Sequence, residues 1–188
     1  MPGPIVETGD DLVLRTVERD DADFVQRLYT DPWARTGFHE HGHKNCAEVE
    51  DVLEDEFEER DTAAYLACVD EPDAPWDHPD EDEATPVGLV VATHVDRDRP
   101  GFVHWVAPEF RGEGHGVEAL ELAVDTVFRT YDPNSVGTEV VAGDERRHER
   151  VEAVGFVDEG RNREVTFVEG AYRDVTQYGI LHEEWEGR

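Results

Sequence analysis

The stretch that most constrains this chain is Trp105-Val-Ala-Pro-Glu-Phe-Arg-Gly-Glu-Gly-His-Gly-Val-Glu-Ala-Leu120. A short apolar run, Phe102 to Val106, reads as a strand and runs into Pro108, which cannot continue a ladder. Arg111 and three alternating glycines follow: Gly112, Gly114 and Gly116. An amphipathic helix then begins, with Val117, Leu120, Val124, Val127 and Phe128 on one face at spacings of three and four. Glycine lets the backbone approach a ligand closely, and loop N–H groups next to a helix N-terminus attract an anion. Strand, glycine loop and helix start are therefore the parts of a phosphate cradle.

Several sites use such a loop. A Walker loop needs Gly-Lys and then Ser or Thr; here Val117 follows Gly116, with no lysine near. A dinucleotide fingerprint can be written as Gly114-x-Gly116-x-x-Ala119, but it needs several βα units downstream. Only 69 residues follow Ala119, and they pattern mostly as strand at the end. The remaining pattern, Arg111-Gly112-x-Gly114-x-Gly116 after Pro108-Glu109-Phe110, resembles the pyrophosphate loop of the GNAT superfamily of N-acetyltransferases, which bind acetyl-CoA. Against all three stands a plain glycine-rich turn with no ligand.

The charge is extreme. There are 47 acidic residues against 17 basic ones, one of which, Lys44, is lysine, for a net charge of -30. Such a chain repels itself in low salt. Periodic apolar segments still run through most of the 188 residues, which is enough for one folded domain over 1–188 with its own core. The acid is spread along the whole chain, which points to a salt-loaded, halophilic cytoplasm rather than to a face for one basic partner. Molar salt shrinks screening to a few ångströms. An acidic surface also excludes nucleic acid and anionic lipid as partners. Cys46 and Cys68 make no disulfide framework. Met1 to Glu7 holds no basic or apolar targeting run, and no apolar stretch is long enough to span a membrane. The expected location is cytoplasmic.

In order, residues 12–17 read as the first strand, and Asp20 or Asp21 caps a helix over about 21–30. The segment from Phe38 to Cys46 gathers His39, His41 and His43. Its spacing fits no closed zinc site, so no metal is expected and a solvated loop is. A helix is expected over about 47–60, and strands over 63–69, 87–95 and 102–106, with an acidic, proline-rich loop over 71–85. The cradle helix stops near Tyr131 at Asp132-Pro133. A strand over 136–142, a short helix over about 144–154 ending at Gly155, and two closing strands complete the chain.

The resemblance extends over nearly all of this. Leu12-x-Leu14-Arg15 before an acidic helix is similar to the opening of the RimJ/RimL-like branch of the superfamily. Gly155-Phe156 and the ending Gly170-x-Tyr172-x-Asp174-Val175, then Tyr178-Gly-Ile-Leu181, are similar to its close. The resemblance implies an α/β (α+β) fold: a mixed, mainly antiparallel central sheet flanked by helices. Two central strands, here 102–106 and 136–142, would splay around the pantetheine arm. It implies cofactor contacts from N–H groups near Trp105 and Val106, and from Arg111, Gly112, Glu113, Gly114, His115, Gly116 and Val117. Asp144 stands where many relatives place a cofactor-contacting Asn, and Arg147 where a Ser is common in this branch. Val151 stands where many carry a Tyr general acid, so the leaving thiolate is left to solvent. Arg146, Arg147, His148 and Arg150 read either as a clamp for the CoA 3′-phosphate or as a helix face balancing nearby acids.

The expected function is acetyl-CoA-dependent transfer of an acetyl group to a primary amine, either a protein N-terminus or a small amine. His104, which shares a strand face with Phe102 and Val106, and Glu109 are the candidate proton acceptors, with Tyr178 assisting. For His104 the rival is an imidazole packed between strands. The rival functions are a non-catalytic acyl-CoA-binding or regulatory module and an acidic interaction protein. The oligomeric state is left open, a homodimer included.

Overall fold

The computed structural model describes residues 2–38, 40, 42–57, 60–80 and 82–187. Its centre is one sheet of strands β1 (Ile5–Thr8), β2 (Val13–Thr16), β3 (Thr62–Asp70), β4 (Ala84–Thr93), β5 (Gly101–Val106), β6 (Ser135–Val141), β7 (Val157–Val168) and β8 (Ala171–Leu181). The strand order is β1-β2-β3-β4-β5-β6-β8-β7. Every pairing is antiparallel except β5 with β6.

Helices cover both faces. On one side α4 (His115–Tyr131) and α5 (Glu145–Val154) bury Leu120, Val124, Val127, Val151 and Val154 against Leu14, Val90, Phe102 and Val136. On the other side α1 (Ala22–Thr30), α2 (Pro32–Gly37) and α3 (Cys46–Val52) close over Leu66, Leu89, Val91 and Trp105. Alternation along β5 decides which residue serves which side: Phe102 belongs to the α4 core and Trp105 to the α1–α3 core.

Several boundaries differ from the sequence expectation, each for a local reason. β1 is a four-residue edge strand, too short to show a period. Asp31-Pro32 starts a helix that the sequence reading does not include. Asp31 accepts from Trp33 N at 3.0 Å and Ala34 N at 3.3 Å, and Pro32 occupies the first turn, where no N–H is needed. α3 stops at Val52 and widens into a π-helical turn over Leu53–Phe57. β4 begins at Ala84, and a final short helix, α6 (His182–Glu186), follows β8. The close of α5 is as expected, with Gly155 left-handed at φ 100°. Cys46 and Cys68 are free thiols.

The proline-rich acidic loop is tied down by one buried side chain. Arg15 pairs with Asp70 at 2.6 Å and donates to the carbonyls of Gly3, Pro75 and Asp77 at 2.8–3.0 Å. That satisfies its fork and fixes both the N-terminal segment and the loop after β3.

Candidate active site

The glycine loop sits where β5 hands the chain to α4. A short 3-10 turn over Pro108–Phe110 redirects the backbone. Gly112 and Gly114 then take φ values of 100° and 92°, a region costly for side-chain-bearing residues. The N-cap of α4 is Gly114, and no side chain caps it. The first N–H groups of α4 therefore keep the unsatisfied donors of any helix N-terminus, together with its positive dipole end. Strand, glycine loop and helix start thus fall where the sequence reading expects them, with a geometry a pyrophosphate could use.

The cleft beside it forms because β5 and β6 separate. They pair only at Gly101 with Gly137 and Phe102 with Thr138. Past that point three side chains take over the carbonyls on the open edge of β5. Thr138 Oγ1 donates to Phe102 O at 2.8 Å, Arg147 Nη2 to His104 O at 2.7 Å, and Arg111 Nε to Val106 O at 2.9 Å. In an extended strand the N–H and C=O of one residue point to the same side. The amides facing the cleft are thus those of His104 and Val106. Trp105 turns its backbone towards β4, where its carbonyl lies close to Gly88, and contributes its side chain to the cleft instead.

Two adjoining cavities run along this edge. One, of about 300 Å³, is lined by Asp31, Trp33, Trp105, Val106, Asp144 and Arg147, among others. The second, of about 390 Å³, is lined by Gly112, Gly114, Gly116 and Val117 of the loop. Arg111, Arg146 and Arg150 line both. So four arginines of a chain with net charge -30 converge on one place. Arg111 pairs with Asp31 at 2.7 Å, and this hydrogen bond holds Asp31 below the usual carboxylate range against the opposing effect of burial. Asp144 caps α5 by accepting from Arg147 N at 3.2 Å, and its other oxygen lies 3.9 Å from Arg147 Nε. Burial pushes the Arg150 guanidinium down to about 10, with the charge of Arg147 adding to the effect. An anion entering here meets buried positive charge and loop N–H donors together.

The remaining candidates lie apart from this convergence. His104 is buried, and neither ring nitrogen has a partner. Burial first, then the charges of Arg150 and Arg147, holds its pKa well below the ordinary value. Tyr178 is also buried, with its hydroxyl between His148 Nδ1 at 2.9 Å and Glu152 Oε1 at 3.0 Å on α5. Burial and that carboxylate push its phenol up to about 12. His148 thus points away from the arginine group. Glu109 is exposed and held by Arg27 at 2.6 Å, which keeps its pKa low. Glu113 is exposed beside His115. Val151 is packed in the core, so α5 offers no acid there.

A cavity of about 480 Å³ opens on the α1–α3 side, at the end where β5 and β6 still pair. Its lining includes Gly37, Phe38, Phe57, Val103 and Gly137, with the carboxylates of Glu56, Asp61 and Glu139. Nothing in the sequence signals this cavity, because its acids come from two distant segments, Glu56 and Asp61 from one and Glu139 from the other. Arg150 stands in the sequence only as part of a basic cluster. What singles it out is its place one turn after Arg147, on the same side of α5. Among the described residues no group of His, Cys, Asp and Glu could hold a metal ion. His39 and His41 lie outside the described residues.

A family model described as "Acetyltransferase (GNAT) domain" matches residues 11–157. Among curated proteins, YdaF of Bacillus subtilis, a candidate ribosomal N-acetyltransferase by name, is 32% identical over 84 residues. That match spans 45% of this chain and 46% of YdaF, less than half the length of either. The spermidine N(1)-acetyltransferase of Vibrio cholerae is 22% identical over 94% of this chain and 96% of its own. Among solved structures, spermidine N-acetyltransferase from Vibrio cholerae in complex with CoA and spermine superposes with a TM-score of 0.79 at 22% identity, over 95% of this chain and 99% of that one.

Proposed function

The chain belongs to the GNAT acetyltransferase family, an N-acetyltransferase with acetyl-CoA as co-substrate, and from that premise we propose that its acceptor is a small cationic amine rather than a protein N-terminus. The cavity on the α1–α3 face carries this reading. Its volume suits a small molecule, and because Arg99 of the same lining is paired with Glu159, the carboxylates of Glu56, Asp61 and Glu139 leave the net negative charge that draws in an ammonium group. Full-length relatives named as spermidine acetyltransferases support a polyamine as the first candidate.

In this reading the glycine loop and the arginines hold the phosphates. The cleft-facing amides of His104 and Val106 hold the arm and polarise the thioester carbonyl. The amine, once neutral, attacks that carbonyl directly from the acceptor cavity. Its proton passes to solvent, because His104 is enclosed, Glu109 is held by Arg27, and Tyr178, although it lines the acceptor cavity, has its hydroxyl held between His148 and Glu152. The acidic surface fits a salt-rich cytoplasm. No described helix is long and apolar enough to cross a membrane.

The test is thiol release from acetyl-CoA in molar salt, with a panel of polyamines, monoamines and peptides bearing free N-termini. Turnover with polyamines and little with peptides is expected. Preferential peptide turnover would overturn the acceptor assignment. Stabilisation by CoA without turnover on any amine would favour a binding module instead.

A further inference from the structure

We propose that Arg147 acts directly in acetyl transfer, its guanidinium stabilising the negative charge that the departing CoA sulfur carries away. This rests on the site reading above and adds a catalytic group to it.

The geometry places Arg147 at the wall between the two halves of the site. The residue lines the arm cavity, together with Trp105 and Val106. Its Nη2 donates to His104 O at 2.7 Å on the open edge of β5. Its Nη1 rests against Gly37, which lines the acceptor cavity. A Cβ at Gly37 would overlap that nitrogen and come within 3.3 Å of Cζ, so the missing side chain leaves the guanidinium its place. One buried cation thus touches the strand edge that presents the cleft amides and the floor of the cavity that receives the amine.

The rest of the site makes that charge useful. Val151 is apolar and buried, and among the described residues the arm cavity is lined by no Tyr, Ser, Cys or His side chain that could protonate the sulfur. The amine nitrogen forms its bond to the thioester carbon, the C–S bond breaks, and the electron pair stays on sulfur. The amine proton goes to water. A thiolate then needs a positive partner, and one in a buried site acts far more strongly than one in water. The groups that face Arg147 are Asp144, Glu145, Arg146 and Arg150 of α5, Asp31 and Arg111 across the cavity, and the neutral His104 of β5. Burial lowers its pKa, opposed by Asp144 and Asp31, yet a guanidinium stays charged throughout the working range.

The experiment titrates the thiol of CoA bound to the whole protein, by thiolate absorbance and by calorimetry across pH, with desulfo-CoA as control. In wild type the bound thiol pKa should fall at least one unit below that of free CoA. CoA affinity should then rise about tenfold per pH unit between the two values, while desulfo-CoA stays flat. Arg147→Met should return the bound thiol to the free value and lower kcat about 10²-fold, with a smaller change in the KM for acetyl-CoA. Gly37→Ala, which keeps the charge but moves it, should shift the thiol the same way by a smaller amount. An unshifted thiol in bound wild type overturns the proposal, and so does a shift that persists in CoA-bound Arg147→Met or, should that variant not fold, one that is undiminished in Gly37→Ala. Absence of any CoA binding by wild type would instead overturn the reading of the site.

Discussion

Arg150 lies across Gly116: a Cβ built on that glycine would come within 2.8 Å of Arg150 Cζ. A Cβ on Gly114, two residues earlier, would have nothing within 4 Å, but that glycine holds φ at 92°. The alternating glycines therefore answer to different demands. One lets a cation settle on the start of α4, and the other bends the backbone so that its amides face outward.

The variants should separate accordingly. Gly114→Val forces a β-branched residue into the left-handed region, at a cost of about 1–2 kcal/mol or more, and should abolish CoA binding. Gly116→Ala asks only that a flexible side chain move. It should leave the melting temperature nearly unchanged while weakening CoA a fewfold. Thermal melting with calorimetric titration checks both. Equal affinity in Gly114→Val would reduce the glycines to a turn.

Much of the site is legible in the sequence because it lies close together there. The strand, the glycines and the amphipathic face of α4 sit within one contiguous stretch, and Gly155 closes α5 as its position implies. The features without a sequence signal need partners from afar. The helix α2 goes unread, because the Asp31 carboxylate that caps it also pairs with Arg111, a partner 80 residues away. The cavity proposed for the acceptor draws on Glu56, Asp61 and Glu139, which share no motif. Alternation assigns His104 its strand face, but not the burial that leaves its ring without a partner.

The arginines of α5 should divide the cofactor's phosphates between them. Arg150 lies over the helix start and shares the loop cavity, so Arg150→Met should weaken CoA and 3′-dephospho-CoA alike, by about tenfold. Arg146 lines both cavities and is the exposed one of the group, and Arg146→Gln should weaken CoA more than dephospho-CoA. Affinities for the two ligands from calorimetry at fixed salt decide the matter. Identical losses in both variants would remove the 3′-phosphate contact from this helix.

Salt should govern the fold before it governs binding. A net charge of -30 on one domain is self-repulsive until salt shortens the screening length to about 3 Å near 1 M. The melting temperature should climb steeply with potassium chloride from dilute buffer to the molar range. Arg147 is buried and Arg111 and Arg150 are half-buried, so these three feel bulk salt less than exposed Arg146, and CoA affinity should fall by less than exposed phosphate contacts alone would predict. A sharp, salt-independent melting transition would sink the halophilic reading.

The last prediction concerns His104 and acid. Its ring is neutral in the fold, with a pKa depressed first by burial and then by Arg150 and Arg147. In the unfolded chain it titrates near 6.5. Below that pH the unfolded state therefore takes up a proton that the folded state refuses. The contribution is fully present above about pH 6.5 and is lost as pH falls, at about 1.4 kcal/mol per unit until the folded pKa is reached. His104→Met should flatten this part of the stability curve in denaturant titrations from pH 7 to 5, at fixed high salt. The same depression makes the imidazole a weak base, enclosed on the α4 face of β5. The kinetic counterpart is that the basic limb of kcat against pH should keep its position in His104→Gln, with the rate altered only through stability. A limb that vanishes in that variant, with CoA affinity kept, would restore His104 as proton acceptor and require the ring to reach solvent during turnover.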